Sequence, residues 1–175
     1  MAELKFIITG TAGVGKTTSL RAISDVPPVD TDAATTDELA KIKSTTTVAF
    51  DFGEVHLDDG TIVRIYGTPG QDRFRHMWEI LAEGALGVIV LVDNTRDDPI
   101  NDMMMYLQNF ENLITKTGAV IGVTRYSENA RITLNDYSDH LALYKLYFPV
   151  LEVDPRKRED IVELLDALMA ILEYA

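Results

Sequence analysis

Residues 10–18 read Gly10-Thr11-Ala12-Gly13-Val14-Gly15-Lys16-Thr17-Thr18, the pattern G-x-x-x-x-G-K-[ST]. An apolar, strand-like stretch (Leu4 to Thr9) precedes it, and a helix-like stretch (Thr18 to Ile23) follows. That strand–loop–helix context gives the pattern its meaning as a phosphate-cradling P-loop. Gly10 and Gly15 permit backbone conformations that a side chain would block, so successive N–H groups point inward at phosphate oxygens. The start of the following helix adds its positive dipole end. Lys16 supplies a point charge to the outer phosphates, and the Thr17 hydroxyl is a ligand for Mg²⁺. Ala12, Gly13, Val14 and Thr18 complete the loop. A glycine-rich turn without function is the alternative, and the flanking elements argue against it.

The remainder of the chain alternates strand and helix. Apolar strand candidates lie at Leu4–Thr9, Val48–Leu57, Thr61–Tyr66, Gly87–Val92, Ala119–Val123 and Phe148–Val153. Helical stretches lie at Thr17–Ile23, Arg73–Glu83, Pro99–Asn112, Leu134–Leu143 and Arg158–Tyr174. Asp58-Asp59-Gly60 reads as a hairpin turn, which makes one edge strand antiparallel. The expected fold is therefore α/β: a P-loop NTPase with a six-stranded, mostly parallel sheet flanked by about five helices. A single domain spanning residues 1–175 fits this length. Residues 26–43, rich in Pro, Thr, Ala and Asp, read as a long functional loop directly after the P-loop helix. The Met103-Met104-Met105 run reads as helix packing.

Composition narrows the class. Hydrophobic residues make up 46% and charged residues 25%, as in ordinary globular chains. The formal net charge of −12 repels nucleic acid and anionic lipid, so neither is an expected partner. There is no cysteine, which excludes disulfides and is compatible with a reducing cytoplasm. The ends of the sequence carry no secretory signal and no lipidation box, so the expectation is a cytoplasmic protein without an intrinsic membrane anchor.

The order of elements after the P-loop is informative. A threonine-rich stretch, Lys43-Ser44-Thr45-Thr46-Thr47-Val48-Ala49-Phe50-Asp51-Phe52-Gly53, leads into a strand. The next strand ends in Tyr66-Gly67-Thr68-Pro69-Gly70-Gln71-Asp72-Arg73-Phe74. This layout resembles the Ras-like small GTPases, most closely a bacterial and archaeal branch that includes MglA-type polarity GTPases and small GTPases encoded beside roadblock-domain proteins. The resemblance covers nearly the whole chain and is most specific over residues 10–18, 43–53 and 67–78.

The resemblance implies roles residue by residue. Thr47 aligns with the first-switch threonine that ligates Mg²⁺ and contacts the γ-phosphate, with Thr46 as its neighbouring alternative. Gly70 aligns with the glycine whose N–H meets the γ-phosphate, and Gln71 with the glutamine that orients the attacking water. Arg73 to Trp78 would then form the second switch, with aromatics available either to a partner or to the core. Thr124 and Arg125 occupy the base-loop positions usually filled by N-K or T-K. The loop Glu152-Val153-Asp154-Pro155-Arg156 replaces the familiar S-A-K on the base side, with Asp154 as its site residue.

Three departures accompany these matches. Gly67 stands where the family has a magnesium-linked aspartate, so the metal leans on Thr17 and Thr47 or borrows Asp51 or Asp93. Ala12 adds a methyl group near the γ-phosphate position. Ser127 replaces the aspartate that pairs with guanine, with Glu128 one residue late, so guanine specificity is open and only a modest preference for GTP over ATP is expected.

The function expected from the resemblance is a molecular switch that binds GTP and GDP and slowly hydrolyses GTP with Mg²⁺, with Lys16 and Gln71 catalytic. A roadblock-domain protein is the expected activator or exchange factor, recruiting the switch to a membrane or cell pole. The alternatives are a pseudo-GTPase scaffold and a small P-loop ATPase or kinase.

Overall fold

The structure is a computed structural model that describes residues 2–27, 51–69 and 75–175. Six strands form one sheet in the order β2-β3-β1-β4-β5-β6. They span Glu3–Thr9 (β1), Phe52–His56 (β2), Ile62–Gly67 (β3), Val88–Asp93 (β4), Ala119–Thr124 (β5) and Val150–Glu152 (β6). Only β2 runs antiparallel, joined to β3 through the expected turn, in which the Gly60 N–H donates to the Leu57 carbonyl at 3.0 Å. Both the sheet topology and the hairpin match the sequence reading.

Helices α1 (Lys16–Ile23), α2 (Arg75–Ala82), α3 (Pro99–Asn109), α4 (Glu111–Lys116), α5 (Leu134–Leu143) and α6 (Arg158–Glu173) connect the strands. Alternation along the central strands divides the core into two layers. Val88, Val90 and Val92 of β4 point into one layer with Met77, Met103, Tyr106 and Tyr137. Ile89 and Leu91 point into the other, against Leu20 of α1 and the Leu164 and Leu168 stripe of α6. Met103 is fully buried, in keeping with a packing role for the methionine run.

The boundaries differ from expectation in three places. The stretch expected as one helix over Pro99–Asn112 is two helices that break at Phe110, giving six helices among the described residues. Phe110 is buried and stacks on Trp78 at 5.7 Å between ring centroids, and this anchor outweighs local helix propensity. The last strand is three residues long rather than starting at Phe148, because Pro149 has no N–H for the ladder and contributes only its carbonyl, to Ile121 N at 2.9 Å. Finally, Met77 and Trp78 are buried, at 0% and 2% exposure, so these parts of the expected second switch belong to the core. Trp78 Nε1 also donates to the Pro69 carbonyl at 3.1 Å, tying α2 to the exit of β3. No helix among the described residues is long and apolar enough to cross a membrane.

Candidate functional site

The loop between β1 and α1 is built by glycines in conformations that other residues rarely adopt: φ is 146° at Gly10, 77° at Gly13 and 120° at Gly15. Space forbids a side chain at two of them. A Cβ on Gly10 would lie 2.5 Å from the Leu91 carbonyl oxygen, and one on Gly15 would lie 2.6 Å from Cγ of Pro155. The loop therefore folds tightly between β4 and the turn after β6. Ala12, Gly13 and Thr18 are exposed along it, and Val14 is buried in the α1 layer.

Lys16 opens α1 and is 8% exposed. Its ammonium donates to the carbonyls of Gly10 at 2.5 Å and Thr11 at 2.9 Å, curling back over the loop. Burial pushes this ammonium down to about 8, and the nearby Asp51 carboxylate partly offsets that shift. A cation held this way gains strongly from an anionic ligand, which would supply the charge that burial withholds.

Next to it, the Thr17 hydroxyl donates to the Asp51 carboxylate. Asp51 directly precedes β2 and lies opposite Gly67 at the end of β3, whose N–H donates to the Asp51 carbonyl at 2.9 Å. A Cβ at Gly67 would already lie 3.3 Å from Asp51 Cβ and 3.1 Å from Leu20 Cδ1. The small residue on β3 and the acid just before β2 thus fit one another: the carboxylate absent from β3 is offered from the entry to the adjacent strand. A hydroxyl and a carboxylate oxygen side by side are hard donors that suit Mg²⁺. Thr46 and Thr47 lie outside the described residues, as do Gly70, Gln71, Arg73 and Phe74.

Asp93, the other acid that could be borrowed for a metal, is already engaged. Its Oδ1 accepts from the Thr95 N–H at 2.9 Å and the Thr95 hydroxyl at 2.6 Å, and its Oδ2 accepts from Arg125 at 2.7 Å. Burial would raise its carboxyl, but the Thr95 hydrogen bonds and the Arg125 guanidinium hold it below the usual carboxylate range. Arg125 reaches further, donating to the Gly13 carbonyl at 3.0 Å from a backbone with φ of 52°. One guanidinium therefore clamps the loop after β5 to the loop after β1. The exit of β3 is tied to the end of β1, since Thr9 and Thr68 share a buried hydrogen bond of 2.7 Å.

Beside the P-loop opens a cleft of ≈ 840 Å³ whose walls include Gly13, Thr18, Thr124, Arg125, Asp154 and Pro155. The sequence-predicted residues Gly13, Val14, Gly15, Thr18, Thr124, Arg125 and Asp154 meet here, while Ser127 and Glu128 are not among its lining residues. The Ser127 carbonyl instead closes a local turn with Ala130 N at 3.0 Å. Asp154 is paired with Arg156 through both carboxylate oxygens, at 2.9 and 2.7 Å, and this hydrogen bonding holds its carboxyl well below the usual range. Half of the lining residues were not among the predicted site residues, Pro155 and Asp160 among them. Pro155 was legible only as a substitution in the base-side loop, and Asp160, in the first turn of α6, carried no local signal.

A P-loop at the head of a six-stranded sheet, with one antiparallel edge strand and a cleft at the carboxyl ends of the parallel strands, defines a P-loop protein of the Ras-like small-GTPase fold. The chain belongs to the family described as conserved hypothetical ATP binding protein, whose model matches residues 28–167 and so begins beyond the P-loop. It is also similar to the GTP-binding protein YPT1 of Saccharomyces cerevisiae, 33% identical over 65% of this chain and 50% of that protein. The Ras-related protein RABE1d of Arabidopsis thaliana is 32% identical over 62% of this chain and 46% of that protein. The Ras-related protein Rab-18-B of Danio rerio is 32% identical over 69% and 54%. The chain spans about half the length of these relatives. The family description names ATP, and the first relative's name GTP.

Proposed function

We propose that this chain is a nucleotide-dependent molecular switch that binds GTP and GDP with Mg²⁺ and slowly hydrolyses GTP. The observation that carries the reading is the Lys16 ammonium curled over a glycine-shaped loop, with the Thr17–Asp51 pair beside it. In this reading the loop N–H groups and Lys16 neutralise the β- and γ-phosphates. Thr17 and Asp51 would hold the metal from the protein side, together with Thr47, and Mg²⁺ there would neutralise the charge that develops on the outer phosphates.

Hydrolysis follows from positioning. Gln71 orients a water against the γ-phosphorus, the bond to the bridging oxygen breaks, and GDP and inorganic phosphate leave. Gly70 offers its N–H to the γ-phosphate and senses its loss. Intrinsic turnover is on the order of 10⁻⁴ to 10⁻² s⁻¹, the range of switches that await an arginine from a partner. Arg125 braces the phosphate loop against the base loop, and Asp154 forms the base-side wall. Within the Ras-like class, the wordings T-T-T-V-A-x-D-F-G and G-T-P-G-Q-D-R-F favour the bacterial and archaeal branch. A roadblock-domain protein is then the activator or exchange factor, and it recruits an otherwise cytoplasmic switch.

A second reading, a scaffold that holds nucleotide without turnover, is favoured by the departures at Gly67, Ala12 and Ser127, the last of which does not line the cleft. Single-turnover hydrolysis of GTP by the wild type and Gln71→Leu separates the two. The switch requires a measurable wild-type rate that falls in the variant while nucleotide affinity holds. Equal rates in the two proteins would mean that Gln71 is not catalytic, and no measurable turnover in either, with and without a roadblock partner, would establish the scaffold instead.

A further inference from the structure

We infer that the base end of the cleft does not distinguish a 6-oxo purine from a 6-amino purine, and that Pro155 and Asp160 are the residues that remove the distinction. The inference rests on reading the cleft as a nucleoside-phosphate site.

Discrimination between such bases is large only where a site hydrogen-bonds the group that differs, because the wrong base then leaves buried polar atoms unpaired. A purine 6-carbonyl needs a donor, and main-chain N–H groups of a loop are the rigid donors suited to it. The loop after β6 has none to offer. The Val153 N–H donates to the Val123 carbonyl at 3.0 Å. The Asp154 N–H donates to Asp160 Oδ2 at 2.7 Å. Pro155 has no N–H. The Arg156 N–H donates to Asp154 Oδ1 at 3.0 Å, and the Lys157 N–H donates to the Asp154 carbonyl at 2.9 Å. All five consecutive positions are accounted for within the protein.

The loop is also held in place. Pro155 packs on the P-loop so closely that a methyl group on Gly15 would meet it at 2.6 Å. Rearranging the turn to free an N–H would therefore disturb the phosphate cradle. On the opposite side, neither Ser127 nor Glu128 lines the cleft, so no carboxylate of the loop after β5 reads the donors at positions 1 and 2 of guanine.

Of the carboxylates that line this end, Asp154 is taken up by Arg156, and Glu152 stands exposed at the end of β6. Val14, Tyr126 and Pro155 offer apolar surface to a ring face, and stacking of this kind tolerates any base. Arg156 and Lys157 are exposed donors on flexible stems. Affinity then comes from the phosphates, which are identical in the two nucleotides.

The test is displacement of a fluorescent GDP analogue from the full chain by unlabelled GDP and ADP, with Mg²⁺ present. The expected wild-type Kd values lie within about tenfold of each other. A difference larger than that in either direction overturns the inference while leaving nucleotide binding intact. Failure of both nucleotides to bind overturns the inference together with the reading of the site. Asp160→Ala frees the Asp154 N–H and should shift the ratio toward GDP by about two- to twelvefold, the worth of one hydrogen bond. Pro155→Ala introduces a new N–H and should shift it the same way, which guards against misfolding of the first variant. An unchanged ratio in both, with native circular dichroism, would overturn the assignment of these two residues.

Discussion

The Thr17 hydroxyl and the Asp51 carboxylate are hydrogen-bonded across the gap between α1 and the residue that directly precedes β2. The contact places an acid beside the P-loop even though β3 ends in Gly67. It also explains why a glycine is suited to that end: a side chain there would press on Asp51 and Leu20.

Asp51→Ala should therefore weaken the metal dependence of nucleotide binding. Removing a group that ligates or orients a ligand typically costs 10- to 100-fold in metal affinity. The measurement is the GDP dissociation rate in Mg²⁺ and in EDTA. The two rates should converge in the variant. A wild-type ratio between them would mean that Asp51 takes no part in holding the metal.

Trp78→Ala should destabilise the fold by about 3–5 kcal/mol, the usual cost of deleting a buried aromatic side chain. The ring is buried against Tyr106 and Phe110, and its N–H holds the Pro69 carbonyl. Urea denaturation followed by circular dichroism reads the change, since Trp78 is the sole tryptophan and fluorescence is lost with it. A loss below about 1 kcal/mol would indicate that the ring is not part of the core.

Much of this was legible in the sequence, for physical reasons that differ between elements. The P-loop was visible because its glycines and lysine lie consecutively, and the sheet because apolar strands alternate with helices at regular spacing. The break at Phe110 was hidden, since a tertiary stack on Trp78 decides it rather than local propensity. The same stack turns Trp78 inward, a choice that the sequence left open. Asp51 and Asp93 were both candidates to replace the missing acid. Only spatial placement separates them, because Arg125 and Thr95 occupy Asp93 while Asp51 reaches Thr17. The closed set of hydrogen bonds in the loop after β6 depends on Asp160, six residues beyond Asp154, and no motif marks such a partner.

The central claim is that Lys16 and its loop form a phosphate site. Calorimetric titration of GTP with Mg²⁺ into wild type and Lys16→Ala tests it most directly. A charge-assisted contact of this kind is worth about 1.5–3 kcal/mol, so the variant should bind at least about tenfold more weakly while its circular dichroism spectrum is unchanged. Unaltered GTP affinity in a folded Lys16→Ala protein would contradict the account.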